Sequence, residues 1–529
     1  MTRREGQLLF GVAVAIVLAM GASIHNGFVY DDVPIIVNNP LVTDPSRWHD
    51  IFRSTYWPGA LWRPVTVSGY ALQWYLGHGA PWLFHIVSLA LYFLLAWCVF
   101  RLLREVGAPL GAAVAAVLVF VVHPVHVEVV ANVVGQAELW TAISLVMATW
   151  LYLRMRRLGT TLPRQLALLG AIAMATMTKE QGFIAPLILI GAEWLLVSRS
   201  DETWRERIRP LGPAVVVTAL MLLVRSTVTG TLKGEVTAVA LAHLGFRDRL
   251  VTFLATVPEY ARLLIWPVHL QAEYSPPAVP MAGPVTATHL AGVVLIALVV
   301  AVLVHCRRRA PLVSFGLWWA AIAMGPVSSV VAAAGFVMAE RVFFLPSLGF
   351  AIALAGGFSL LGAIRPLRVQ VMAYLLLGMW IVGATVRSAM RVPVWHDQDR
   401  FFAALPADGP SDYRASLAAG RYWYTAYRMG RAEQDLREAL RLWPHDAGTN
   451  ESLGQLLRVS GRCGEAVPVF VQGLAVEPDR TSLRAKLLEC LIALGERATA
   501  LTVAEAGIAL GDSSFVQTKR RILANPEFR

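Results

Sequence analysis

Eleven apolar runs separated by short polar loops restrict this chain more than any motif in it. They cover Leu8–Ile24, Pro81–Phe100, Leu110–Val122, Leu139–Leu153, Leu166–Met177, Phe183–Val197, Leu211–Val224, Ala287–Val304, Leu312–Val331, Phe343–Ile364 and Val369–Val386. Inside hydrocarbon every backbone N–H and C=O must be satisfied within its own segment, so runs of this kind fold as helices. Several fall short of the roughly 20 residues a full crossing needs, so their polar flanks must reach into the interface. Only 15% of the residues are charged and 56% are hydrophobic, against roughly 25% charged in a soluble domain. The expectation is an all-α, polytopic membrane protein of about eleven transmembrane helices over residues 1–395, followed by a separate domain over 396–529.

The charge pattern orients those helices. From His396 onward seventeen basic and seventeen acidic residues cancel, so the whole net charge of +11 belongs to the membrane part. Nucleic acid is therefore a poor partner for this chain. The basic residues sit in Arg3-Arg4, Arg154 to Arg157, Arg199 to Arg209, Arg307 to Arg309 and Arg365 to Arg368. With eleven spans all five groups share the side of the N-terminus, as the positive-inside rule requires. The N-terminus is then cytoplasmic and the C-terminal domain outside.

Leu250–His269, with Pro258, Glu259, Arg262 and Pro267, would upset that agreement as a twelfth span. It reads as an interfacial or re-entrant helix. The first run carries no small-x-small cleavage pattern and reads as an uncleaved span. Cys98, Cys306, Cys463 and Cys490 form no close-spaced pair, so neither a disulfide nor a zinc framework is expected. Arginine outnumbers lysine by 42 to 4, which suits a GC-rich bacterial genome and an inner-membrane protein.

The chemically unusual residues fall on the side opposite the basic loops. The first outer loop holds Asp31-Asp32, Asn38-Asn39-Pro40 and the aromatic run Tyr56-Trp57-Pro58-Gly59-Ala60-Leu61-Trp62-Arg63-Pro64. Adjacent carboxylates repel each other and cost energy to desolvate, so a chain that keeps them at a bilayer surface points to acid–base or ligand chemistry. A helix-ending Asx turn is the structural alternative. The second loop carries His123, His126, Glu128 and Glu138, the third Lys179-Glu180, and a later one Glu340-Arg341.

Lys179 stands out in a chain that uses arginine almost everywhere. A compact ammonium suits a point contact to phosphate, or a partner for Glu180. Arg341 can bind phosphate oxygens bidentately or neutralise Glu340. No metal site is demanded, although Asp32, His126 and Glu128 are the set that would take a divalent ion. Glu193, inside an apolar run, reads as internally paired.

The C-terminal domain repeats. Ala432, Ala466 and Ala500 lie 34 residues apart, as do Ala439, Gly473 and Gly507, and Pro444, Pro478 and Asp512. This period, with small residues where helices cross, is the tetratricopeptide signature and predicts about three stacked helix pairs. Such solenoids present a binding groove.

Together, Phe28-Val29-Tyr30-Asp31-Asp32, Asn38-Asn39-Pro40, Trp62-Arg63-Pro64, His123-Pro124-Val125-His126-Val127-Glu128, Lys179-Glu180-Gln181-Gly182 and Ala339-Glu340-Arg341 resemble the GT-C class of membrane glycosyltransferases. The resemblance is to the transmembrane-and-tetratricopeptide O-mannosyltransferases and their bacterial relatives, and it spans nearly the whole chain. It implies transfer of a sugar from a polyprenyl-phosphate donor to a protein or glycan acceptor outside the cytoplasm, with inversion. It places the catalytic carboxylate at Asp31 or Asp32. Lys179 and Arg341 would hold the donor phosphate, and the aromatic run through Trp62 would stack on sugar or anchor at the interface. His123, His126, Glu128, Glu138, Glu180 and Arg63 would shape the site, and the repeats would dock the acceptor. A lipid-linked saccharide exporter and a non-catalytic anchored scaffold are the competing classes. The first would want charges at mid-bilayer, and the second would have no need of Asp31-Asp32 and Lys179.

Overall fold

The computed structural model describes residues 2–56, 61–197, 202–231, 237–281, 283–361 and 367–524. Trp57-Pro58-Gly59-Ala60, Arg199 and Arg365 lie outside the described residues. Among those described, the chain is helical throughout and forms two units. The first comprises Met1–Ala272 with Met281–Phe401, and the second Glu273–Pro280 with Phe402–Arg529.

Among the described residues each apolar run contains a helix. In chain order the first unit contains α1 (Arg3–Met20), the short α2 (Pro40–Thr43), α3 (Pro64–Gly77), α4 (Pro81–Glu105), α5 (Leu110–Val121) and the short α6 (Val127–Ala131). There follow α7 (Gln136–Leu158), α8 (Leu162–Thr178), α9 (Ala185–Leu196), α10 (Trp204–Ile208), α11 (Gly212–Thr229) and α12 (Phe246–Ile265). The unit continues through α13 (Ala287–Cys306), α14 (Pro311–Met324), α15 (Phe344–Leu361) and α16 (Leu367–Arg391), and α17 (Gln398–Asp408) crosses into the second unit.

The starts are written locally. Thr2 and Glu5 form a capping box on α1, and proline occupies the first turn of α3, α4, α8, α9, α11 and α14. Proline there loses no hydrogen bond, because first-turn amides lack intrahelical partners anyway.

Six helical segments are long and apolar enough to cross a membrane among the described residues, the mark of a multi-pass membrane protein. Leu110–Val121 and Pro124–Ala131 add a pair bent by 53°. Other runs form shorter helices, such as α9, or less apolar ones, such as α7. α12 contains Pro258 and leaves Ile265 and Trp266 exposed at its end.

Packing among the apolar helices relies on small residues. A Cβ at Gly316 would lie 2.3 Å from Ala353 N and 2.4 Å from Gly349 O, and one at Gly349 would lie 2.5 Å from Gly316 O. α14 and α15 therefore touch backbone to backbone, as small-residue interfaces permit between helices in lipid. The segment between α1 and α3 is also a packed body. Ile35, Ile36, Leu41, Val42 and Ile51 form one core with Val67 and Tyr70 of α3 and Phe84 of α4.

In the second unit, helices pair with a fixed period: α18 (Tyr413–Thr425) with α19 (Met429–Leu442), α20 (Ala447–Val459) with α21 (Cys463–Val476), and α22 (Thr481–Ala493) with α23 (Arg497–Ala509), ahead of α24 (Ser514–Ala524). Each pair begins 34 residues after the one before. Ala432, Ala466 and Ala500 have no exposed surface.

Cys463 and Cys490 are joined as a disulfide with Cα atoms 5.1 Å apart, which corrects the expectation of no bridge. Their 27-residue separation conceals them, because stacking sets α21 beside α22. A segment from the middle of the chain completes this unit. Ser275 donates both its amide, at 2.8 Å, and its hydroxyl to the Asp412 carboxylate, and the Tyr413 amide donates to Pro276 O at 3.3 Å.

Replacing Gly316 by leucine should force α14 from α15 and destabilise the detergent-solubilised chain by about 1–3 kcal/mol, the usual range for overpacking. Thermal unfolding followed by tryptophan fluorescence measures it, with Gly357→Leu as control, since a Cβ there meets nothing within 4 Å.

Candidate active site

The loops that follow α1, α5, α8 and α14 meet through side chains. Asp32 has no exposed surface. Its Oδ1 accepts from Val134 N at 2.9 Å, and its Oδ2 from Val29 N at 3.1 Å and Val133 N at 3.4 Å. One carboxylate thus ties the loop after α1 to the loop after α5. Burial raises the Asp32 carboxyl to about 7, with the three amides opposing that shift. Asp31 precedes it on a half-buried position, just before a π-turn over Val33–Val37. Gly135 keeps the second loop tight, since a Cβ there would sit 2.0 Å from Val129 O.

Beside this clasp lies a four-charge cluster. Arg63 donates to Glu180 from Nη2 at 2.6 Å and Nε at 3.0 Å, and its Nη1 donates to the Tyr56 hydroxyl at 3.1 Å. Lys179 forms an ion pair with Glu138, not with its neighbour Glu180. Burial works against the charge on Arg63, and Glu180, Tyr56 and Glu138 together more than offset it, holding the guanidinium above its ordinary value. For Glu180, burial is likewise more than offset by Arg63, a backbone hydrogen bond and Lys179 together, which leaves its carboxyl low. Burial pushes the Lys179 ammonium down despite Glu138.

Three hydroxyls that the sequence did not single out brace the cluster. Thr66 donates to Thr178 O at 2.9 Å, Thr141 lies 2.8 Å from the Thr178 hydroxyl, and Tyr70 donates to Val134 O at 3.0 Å. Lone threonines and tyrosines in apolar runs carry no pattern that would reveal this.

The remaining candidates gather at a second cluster along the same 123–138 loop. Arg341 donates to Glu128 twice, from Nη1 at 2.8 Å and from its backbone amide at 3.1 Å. Glu340 accepts instead from Gln271 N at 2.6 Å. His126 is enclosed between the Tyr92 and Ser347 hydroxyls, each at 2.8 Å, and His123 lies 3.1 Å from Leu264 O, where only its ring N–H can donate.

Two of the alternatives that the sequence leaves open do not match the geometry. Asp32, His126 and Glu128 do not form a metal set: both oxygens of each carboxylate and both ring nitrogens already have partners, and no group of three such ligands occurs among the described residues. Trp62 does not offer a face to sugar, being 3% exposed with its indole N–H on Phe52 O at 3.1 Å. Glu193 is internally paired as anticipated, accepting from Tyr152 and Arg156 at 2.7 and 2.9 Å.

No family profile matches the chain. It is similar to Protein O-mannosyl-transferase Tmtc2 of Drosophila melanogaster, 30% identical over 291 residues that cover 51% of this chain and 31% of the relative. Protein O-mannosyl-transferase TMTC1 of Homo sapiens is 25% identical over 506 residues, covering 84% of this chain and 56% of that protein. Human TMTC3, also named a protein O-mannosyl-transferase, is 24% identical over 513 residues, with 90% and 55% covered. The resemblance to this group of transferases therefore holds over much of the chain, and the chain spans about half the length of most curated relatives it matches.

The elevated Asp32 carboxyl makes the clasp sensitive to pH. A carboxyl at about 7 when folded and 3.8 when unfolded contributes its full stability below about pH 4, and loses it as pH rises towards 7. Thermal midpoints measured across that window should fall, and Asp32→Asn, which cannot ionise, should flatten this part of the profile. An unchanged slope in the variant would assign the dependence elsewhere.

Proposed function

We propose that this chain is a glycosyltransferase that moves a sugar from a polyprenyl-phosphate carrier to a protein hydroxyl on the outer face of a membrane, with inversion. The relatives' names suggest mannose as the sugar. The observation that carries the proposal is the acidic pair: Asp32 is fixed on three backbone amides, while Asp31 beside it keeps partial exposure.

In this reading Asp31 is the base. It takes the proton of the acceptor hydroxyl as that oxygen attacks the anomeric carbon, and the bond from that carbon to the phosphate oxygen breaks with its electron pair leaving on phosphate. Phosphate is a good leaving group, so no general acid is required. Lys179 and Arg341 meet the departing charge, with Arg63 supporting from its pair with Glu180. Glu138 and Glu128 hold those cations in position between turnovers.

The proposed topology has eleven spans, a cytoplasmic N-terminus and a C-terminal tetratricopeptide solenoid outside. The Cys463–Cys490 disulfide supports that side for the repeats, since such bonds persist in oxidising compartments. The bacterial inner membrane suits the arginine-rich composition.

Asp31→Asn should lower transfer by about 10²–10⁴-fold, the usual contribution of a positioned base, with thermal stability unchanged. Transfer of radiolabelled mannose from a synthetic polyprenyl-phosphate mannose in proteoliposomes measures it, and full activity would make the pair a structural turn.

The repeats, in this reading, hold the acceptor. Deleting residues 447–529 spares the first helix pair and its contacts with Ser275 and Pro276. Binding of the lipid-linked sugar should persist, while transfer to periplasmic protein falls. Unchanged transfer would remove the docking role.

A further inference from the structure

We infer that Tyr30 is a positioning residue whose left-handed backbone, clamped through its ring, aims the Asp31 carboxylate. Tyr30 has φ +56°, a conformation that a bulky residue adopts only under constraint from its surroundings. Three further non-glycine residues share a positive φ among those described, His78, Ser329 and Tyr427, and none of them adjoins the acidic pair.

The constraint comes from three directions. Behind Tyr30, Gly27 N donates to His396 O at 2.8 Å, which fixes the chain entering the turn. Across it, Asp32 N bonds to Val29 O at 3.1 Å while the Asp32 carboxylate accepts from Val29 N at 3.1 Å. These two bonds close a small ring with the dipeptide Tyr30-Asp31 at its tip. Ahead of it, Val33 N and Ile35 N bond to Tyr30 O and Asp31 O at 3.2 and 3.1 Å and start the π-turn.

The ring of Tyr30 lies 5.0 Å from that of Phe401, which itself packs 4.6 Å from Trp395. A relaxed residue at position 30 would rotate the peptide that leads into Asp31 and carry its carboxylate away. Because Asp32 is anchored independently, the error would fall on Asp31. The inference rests on the reading of Asp31 as the base, so its test includes a measurement that needs no transfer.

The full-length chain in detergent is treated with a water-soluble carbodiimide and glycine ethyl ester, and coupling at Asp31 is followed by peptide mass spectrometry, with buried Asp32 as internal reference. Tyr30→Phe keeps the ring and should match wild type in labelling and in kcat. Tyr30→Gly and Phe401→Leu should change the rate of Asp31 labelling, and should lower kcat by about 100-fold, as a misplacement near 1 Å does, with KM for the donor unchanged. Tyr30→Asn tolerates the left-handed backbone without supplying the ring, and should behave as Tyr30→Gly; it serves equally if the glycine variant does not fold. Asp31 labelling in Tyr30→Gly or Tyr30→Asn equal to wild type overturns the inference, as does a loss of kcat matched by an equal loss in Tyr30→Phe. Altered labelling in a protein whose wild type transfers no sugar sustains the role of Tyr30 and overturns the transferase reading instead.

Discussion

A carboxyl group removed from water must collect hydrogen bonds or become protonated, and the loops of the first unit are organised around one that collects three. Asp32 draws in Val29 N from its own loop and Val133 N and Val134 N from a loop a hundred residues later. That single anchor sets the position of the 123–138 loop. The loop in turn carries Glu128, which bonds Arg341, and Glu138, which pairs with Lys179. Apolar helices alone could not specify this arrangement, because lipid-facing surfaces slide against one another with little penalty. Charge pairing between loops has directional preference and supplies the register that packing lacks.

The same pairing decides what the face can bind. Arg63, Lys179 and Arg341 each face a carboxylate, so in the resting state the cluster carries little net charge and holds its cations rigid. Each pair holds its cation in a fixed place, and an entering anion would compete with the carboxylate already there. A cluster of unpaired arginines would attract phosphate more strongly and orient it less. For a reaction whose leaving group is phosphate, orientation is the more useful property, since a product held too tightly slows the next turnover. The closeness of each ammonium or guanidinium to its carboxylate is therefore consistent with a cation that is used repeatedly.

Much of this was legible in the residues. Apolar runs located the long helices of the first unit other than α3, which falls in a stretch read as a loop, and the 34-residue spacing located the start of each repeat pair in the second unit. The motif strings located the loops that meet. What could not be read was partner choice. Lys179 has Glu180 as its chain neighbour and Arg341 has Glu340, yet both bond across the fold, to Glu138 and Glu128. Adjacent side chains at a helix start point in different directions, so sequence proximity misleads there. The Cys463–Cys490 bridge and the burial of Trp62 were hidden for the same reason: each depends on which helices or turns stand side by side. Tyr30 was written inside a motif, but its left-handed backbone has no signature in a tyrosine.

The two units solve one problem by the same device. Asp412 is buried like Asp32, and it accepts from the Arg414 and Ala415 amides at the start of α18 as well as from Ser275, more than a hundred residues earlier. Burial raises its carboxyl too, against the bonds from Ser275 and Ala415. One repeat later Asp446 caps α20 in the equivalent place, bonding Gly448 N and the Thr449 hydroxyl. In the third repeat the position is Arg480, and α22 begins without a side-chain cap. The capping carboxylate is thus lost along the array, where the disulfide between α21 and α22 takes over the task of holding neighbouring helices together. A repeat unit anchored at its first pair by a segment from the middle of the chain, and at its third by a covalent bond, has little freedom to unwind from either end.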